Sequence, residues 1–183
     1  MFKKIFIFFL FTLILINFTP INAKNDTDIS LADYHNYLGT VEFDINETGT
    51  KTFISTEGEL IEITCEEESY STFSNAGLTV TRKRYTVSKG AISFTFRIST
   101  KATQYDEETW YTYFTDVEAL DVSGFQVVTQ NLGDSIIQKY ETATSPARAE
   151  AYGDYSLVPV GMSTIGVIIK IKNATVDLDA YGS

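Results

Sequence analysis

The stretch LTVTRKRYTVSKGAISFTFRIS, residues 78–99, decides the fold. In its first half Leu78, Val80, Arg82 and Arg84 alternate with Thr79, Thr81, Lys83 and Tyr85. In its second half Ile92, Phe94, Phe96 and Ile98 fall at every second position, against Ser93, Thr95, Arg97 and Ser99. Successive side chains of a strand point to opposite faces, so a period of two marks a strand with one face buried. Ser88-Lys89-Gly90 supplies a short turn between the two runs, and the whole predicts an antiparallel hairpin.

The same pattern continues on both sides. Upstream, Val41, Phe43 and Ile45 alternate with Glu42, Asp44 and Asn46; strands follow at 52–56 and 60–66, joined by turns that contain Gly49 and Gly58. In the third, Ile61, Ile63 and Cys65 share a face opposite Glu62, Thr64 and Glu66. Residues 66–77 read as a polar loop. Downstream, strands are expected at 109–115, 124–130, 135–142, 147–157, 163–172 and 175–180. Their turns fall at Asn131-Leu132-Gly133-Asp134, Val160-Gly161 and Lys172-Asn173-Ala174. Roughly ten short, evenly spaced strands without a long 3.6-residue apolar stripe predict an all-β fold. We expect a single antiparallel β-sandwich over residues 40–183, with a jelly-roll-like arrangement or an open β-barrel as alternatives.

Ahead of this domain, Lys3 and Lys4 precede an uncharged apolar run of 14 residues from Ile5 to Phe18, then Pro20 and a small residue at Ala23. That order predicts a secretory signal peptide over residues 1–23. A spanning helix needs about 20 apolar residues, so an uncleaved anchor is the lesser alternative. Residues 24–39 read as a flexible leader, or as a short helix capped by Ser30 and carrying Leu31, Tyr34 and Leu38.

Removing residues 1–23 changes the composition. The net charge moves from −10 over 183 residues to −12 over 160, and six of the 13 Phe are lost. Ser and Thr then make up 36 residues and Tyr 11, a composition suited to pleated, half-buried surfaces. The expected product is secreted, extracellular and without a stable membrane anchor in the mature chain. A charge of this sign excludes ordinary nucleic-acid binding, which depends on Lys and Arg at phosphates. A single Cys excludes an internal disulfide and multi-Cys zinc sites, and a single His excludes a His-rich metal centre. No cofactor is expected.

Chemistry-bearing residues are few. His35 lies in the leader, with no nucleophile-elbow pattern elsewhere. Cys65 sits on an apolar strand face beside Glu66, Glu67 and Glu68, a setting for a small core side chain rather than a reactive thiol. Carboxylates also group at Asp106-Glu107-Glu108, and at Asp177 and Asp179, which share a strand face. A glycosidase needs two carboxyls held ~5 Å or ~6.5–9.5 Å apart, a spacing no linear pattern can show. Asp177 and Asp179 are a calcium candidate short of the 6–8 oxygens that ion takes. Arg82-Lys83-Arg84 is the one basic cluster, and alternation splits it between two faces, which favours cross-strand pairing with acids.

The strand Thr-Trp-Tyr-Thr-Tyr-Phe-Thr, residues 109–115, is the leading binding candidate. Trp110, Thr112 and Phe114 share one face; Tyr111, Tyr113 and Thr115 share the other, with Tyr105 just upstream. One row belongs to the core. The second row, with Tyr105 and Trp110, either forms an exposed aromatic platform for a glycan or protein ligand or is itself buried.

The run Val41-Glu42-Phe43-Asp44-Ile45 followed by Gly49-Thr50-Lys51-Thr52-Phe53, with the signal-like start and Cys-poor remainder, resembles small secreted β-rich proteins of unknown function from low-GC Gram-positive bacteria. The resemblance covers about a dozen residues, and the aromatic segment at 105–115 has no counterpart in it. It implies a secreted β-sandwich and transfers no catalytic residue. The expectation is a non-enzymatic binding or interaction module of a bacterial surface or exudate. The alternatives are a secreted carboxylate-dependent hydrolase and a toxin-like or bacteriocin-like membrane-active factor that inserts the 78–99 hairpin.

Overall fold

The hairpin read from residues 78–99 forms the centre of a sheet. In the computed structural model, which describes residues 36–68, 80–104, 110–158 and 161–183, the chain forms ten strands. These are β1 (Asn36–Asp44), β2 (Gly49–Ile54), β3 (Leu60–Glu67), β4 (Val80–Lys89), β5 (Ile92–Gln104), β6 (Trp110–Gly124), β7 (Val127–Gln138), β8 (Ala147–Leu157), β9 (Gly161–Lys172) and β10 (Thr175–Gly182). One sheet is the meander β2-β3-β4-β5-β6; the other has the order β1-β10-β9-β8-β7, and both are antiparallel. The fold is therefore all-β, two five-stranded sheets around one core, and no closed barrel.

The core follows from the alternation. Tyr85 and Val87 of β4 and Phe94, Phe96 and Ile98 of β5 all point inward. Tyr85 stacks on Phe96 at 5.4 Å and meets Phe43 of β1 edge-on at 5.8 Å, a packing that ties the two sheets together. Facing these rings, β8 presents a run of small inner residues, Ala147, Ala149, Ala151 and Gly153, before the buried Tyr155. A Cβ on Gly153 would stand 2.1 Å from Val122 and 3.4 Å from Phe94, so glycine here lets the sheets approach. Each fully buried Phe contributes about 1.5–3 kcal/mol relative to exposure.

Four local expectations are corrected. The turn expected at 131–134 is strand, and the runs 124–130 and 135–142 form most of one edge strand, β7. Bulges between Thr129 and Asn131 and between Ile136 and Gln138 break its alternation, which hid its continuity. The aromatic strand does not stop at Thr115 but runs to Gly124. A bulge opposite Ser99 and Thr100 turns both Phe114 and Val117 inward, three positions apart, so the period of two is lost there. Among the described residues strand pairing starts at Asn36, inside the segment read as leader: Asn36 and Tyr37 pair with Gly182 and Tyr181 of β10, and a bulge at Leu38 separates them from Gly39. Finally, neither sheet has a jelly-roll strand order: apart from β1 on β10, every pairing joins sequence neighbours. His35 and residues 1–35 lie outside the described residues.

Candidate functional site

The outer face of the β2–β6 sheet carries the aromatic row. Thr112 and Phe114 are buried, while Tyr111 is 39% exposed, Thr115 is exposed and Tyr113 is half-buried on the outside. Trp110 heads β6, its backbone paired with Gln104; its side chain, and Tyr105 altogether, lie outside the described residues. The row is extended by a residue with no local signal in the sequence. After β7 the chain doubles back along the free edge of β6, with Phe114 N–H donating to Lys139 O (3.1 Å) and Glu141 N–H to Thr112 O (3.2 Å). This puts Tyr140 beside Tyr113, ring centroids 5.2 Å apart and planes at 38°. Tyr140 is 58% exposed, and the Lys139 ammonium lies 5.6 Å from its ring centre.

A buried carboxyl holds this strap in place. Glu141 Oε2 accepts the Asn173 N–H (2.9 Å) at the β9–β10 turn, and Lys172 Nζ donates to Ala143 O (3.2 Å). Burial pushes the Glu141 carboxyl above the usual range, and the Asn173 hydrogen bond works against that shift.

Next to the tyrosines the face opens into a groove of about 310 Å³, lined by Val80, Arg82, Ser99, Lys101, Thr115 and Asp116. Lys101 is the cross-strand partner of Tyr113, so groove and rings are contiguous. Arg82 Nε donates to Ser99 Oγ at 3.2 Å. The next row is an ion-pair network: Glu68 meets Arg84 (2.6 Å) and Arg97 (3.3 Å), and Arg97 also pairs with Glu118. Its carboxylates, Glu118 foremost, raise the Arg97 pKa further. Of the split basic cluster, Arg84 pairs with an acid across strands, Arg82 donates to Ser99, and Lys83 is turned inward, buried, and donates to the Glu47 carbonyl.

The remaining candidates fall elsewhere. Cys65 is a buried core side chain whose thiol pKa is raised by burial. Asp177 and Asp179 share the outer face of the other sheet. Asp179 is bound by Lys170 (2.8 Å) and by the Thr40 hydroxyl (2.5 Å). Asp177 faces Glu42 across the ladder, and its pKa is raised by burial and then by Glu42 and Asp179. Among the described residues no three His, Cys, Asp or Glu side chains are grouped to hold a metal ion. The acids at 106–108 lie outside the described residues.

No family model matches this chain, and no curated protein matches its sequence. Among solved structures it is similar to a hypothetical protein from Listeria monocytogenes EGD-e. The two are 8% identical with a TM-score of 0.39, over 75% of this chain and 99% of that one.

Proposed function

We propose that this chain is a secreted, non-enzymatic binding module that takes a glycan on the outer face of β6. The observation that carries this reading is the outward Tyr113–Tyr140 pair, with Tyr111 beside it, at the rim of a polar groove. A tyrosine ring offers a flat apolar surface for the C–H face of a sugar and a hydroxyl for its polar edge. Arg82, Lys101, Ser99 and Asp116 supply donors and acceptors of both signs for sugar hydroxyls, as few well-placed polar groups do in a binding site. The signal-like N-terminus and the resemblance to secreted Gram-positive proteins support an extracellular setting, where wall polysaccharides are the abundant glycans.

The test is a glycan array followed by pull-down on purified wall polysaccharide, using wild type and the Tyr113→Ala/Tyr140→Ala double variant. Retention by wild type and loss by the variant supports the reading. Equal retention, or none by wild type on any glycan, overturns it.

A further inference from the structure

We propose that Tyr113 and Tyr140 form a site of oxidative cross-linking, where a one-electron phenol oxidant joins the two rings as an intramolecular dityrosine. The inference goes beyond glycan binding and does not depend on it. The ring centroids stand 5.2 Å apart, with planes at 38°. They are the one pair of tyrosine rings in contact among the described residues; the other ring contacts there each include a phenylalanine. Tyr140 is 58% exposed and Tyr113 half-buried, so both are open to an oxidant in solvent. Tyr85, Tyr155 and Tyr181 are buried. Tyr37 is exposed, but no tyrosine ring stands against it among the described residues.

The chemistry needs only the two phenols and an oxidant. Each phenol gives up one electron and its hydroxyl proton, leaving a radical shared between the oxygen and the two Cε carbons. Two such radicals on adjacent rings combine through one Cε of each, forming a C–C bond. The hydrogen on each bonded Cε then moves to its oxygen, which restores both phenols. Hydrogen peroxide takes up the two electrons and two protons and leaves as two waters, with a haem peroxidase carrying the electrons. The product lacks two hydrogen atoms and keeps every other atom. Adjacency favours this product over coupling between molecules, because a partner already in ring contact is met before a second chain.

The bond ties the edges of the two sheets together. Tyr113 belongs to β6, the edge of one sheet, and Tyr140 follows β7, the edge of the other. The strap is held on β6 by the backbone bonds from Phe114 to Lys139 and from Glu141 to Thr112. A covalent bond beside them closes residues 113–140 into a ring and fastens the strap. With one Cys, the chain has no internal disulfide to do this. A cross-link stabilises chiefly by restricting the unfolded chain, and more so for a longer loop.

The experiment treats the dilute protein with a haem peroxidase and hydrogen peroxide, for wild type, Tyr113→Phe, Tyr140→Phe and Tyr37→Phe. Each variant keeps its ring, and circular dichroism before oxidation checks the fold. Wild type and Tyr37→Phe are expected to give a monomer on a denaturing gel with dityrosine fluorescence. Its intact mass is lower by two hydrogens, and digestion yields one joined peptide pair containing Tyr113 and Tyr140. Tyr113→Phe and Tyr140→Phe lose this monomeric product. Phe also keeps a flat face for a sugar, so glycan retention and cross-linking are read separately. The cross-linked monomer should melt about 5–10 °C above the untreated chain, as closing a loop of this length implies. Absence of dityrosine, dityrosine confined to covalent dimers, a peptide pair joining other tyrosines, or an equal yield from Tyr113→Phe and Tyr140→Phe each overturns the proposal. A cross-linked monomer that melts no higher overturns the fastening of the strap.

Discussion

The ring of Tyr181 lies flat over Gly166, its cross-strand partner, and its hydroxyl donates to Glu150 Oε1 at 2.8 Å. A Cβ on Gly166 would stand 2.6 Å from that ring, so glycine on β9 is what allows tyrosine on β10 to cover the outside of the sheet. Tyr152 covers Gly133 in the same way one strand pair further along the row. Burial, then the Glu150 hydrogen bond, raises the Tyr181 pKa far above the phenol range, so it remains a donor at every accessible pH.

Tyr181→Phe keeps the ring and removes the donor, leaving the buried Glu150 carboxyl without it. The expected loss is about 1–3 kcal/mol, the cost of an unsatisfied buried polar group. Urea unfolding measures it, and an unchanged midpoint would show that Glu150 finds another partner.

Asp177 titrates with a raised pKa in the folded chain, its ordinary value being 3.8. The folded state therefore holds this proton more tightly than the unfolded state does. Stability falls as pH rises from 3.8 through the folded value, and the loss is constant above it. Asp177→Asn removes the repulsion from Glu42 and should stabilise by about 0.2–1 kcal/mol at pH 7. The gain should vanish well below 3.8, where both proteins carry a neutral side chain. Thermal melts of the pair at pH 7 and pH 3 read the difference.

The β9–β10 turn holds Asn173 at φ 50° and Ala174 at φ 61°. Asparagine tolerates this region and alanine does not, at a cost of about 1–2 kcal/mol for a residue with a Cβ. Ala174→Gly keeps the carbonyl that accepts the Ile45 N–H (2.7 Å) and should stabilise by about 1 kcal/mol, read as a raised denaturant midpoint.

Tyr140→Ala separates binding from folding. Its ring is exposed and stacks on Tyr113 alone among the described aromatic pairs, so about 0.5–1.5 kcal/mol of stability is at stake. Glycan retention should fall by far more than the melting temperature does, and a parallel loss of both would mark Tyr140 as a structural residue.

How much of this was legible in the sequence follows from how local each determinant is. The β4–β5 hairpin was readable because the partners of Phe94 and Phe96 lie a short turn away and the alternation is unbroken. That Tyr111 and Tyr113 share a face was readable for the same reason; that this face is the outer one was not, because alternation alone does not say which row is covered. Tyr140 was not, because only the return of the chain along β6 brings it to Tyr113. The groove residues Arg82, Lys101 and Asp116 belong to three strands, and their convergence depends on register. The continuity of β6 and β7 was hidden by bulges, which shift the parity on which the reading rests.

The pairing of β1 with β10 has a consequence for how the chain is made. Strands β2 to β6 find their partners as soon as each successor appears, so that sheet assembles from contacts of short sequence separation. β1 must instead wait for residues 175–182 before its backbone is paired. A polypeptide delivered from its N-terminus, whether by a ribosome or through an export channel, thus acquires its complete core only when its final strand is released. The last hairpin acts as the latch on the whole domain, and loss of its final strand would strand the first.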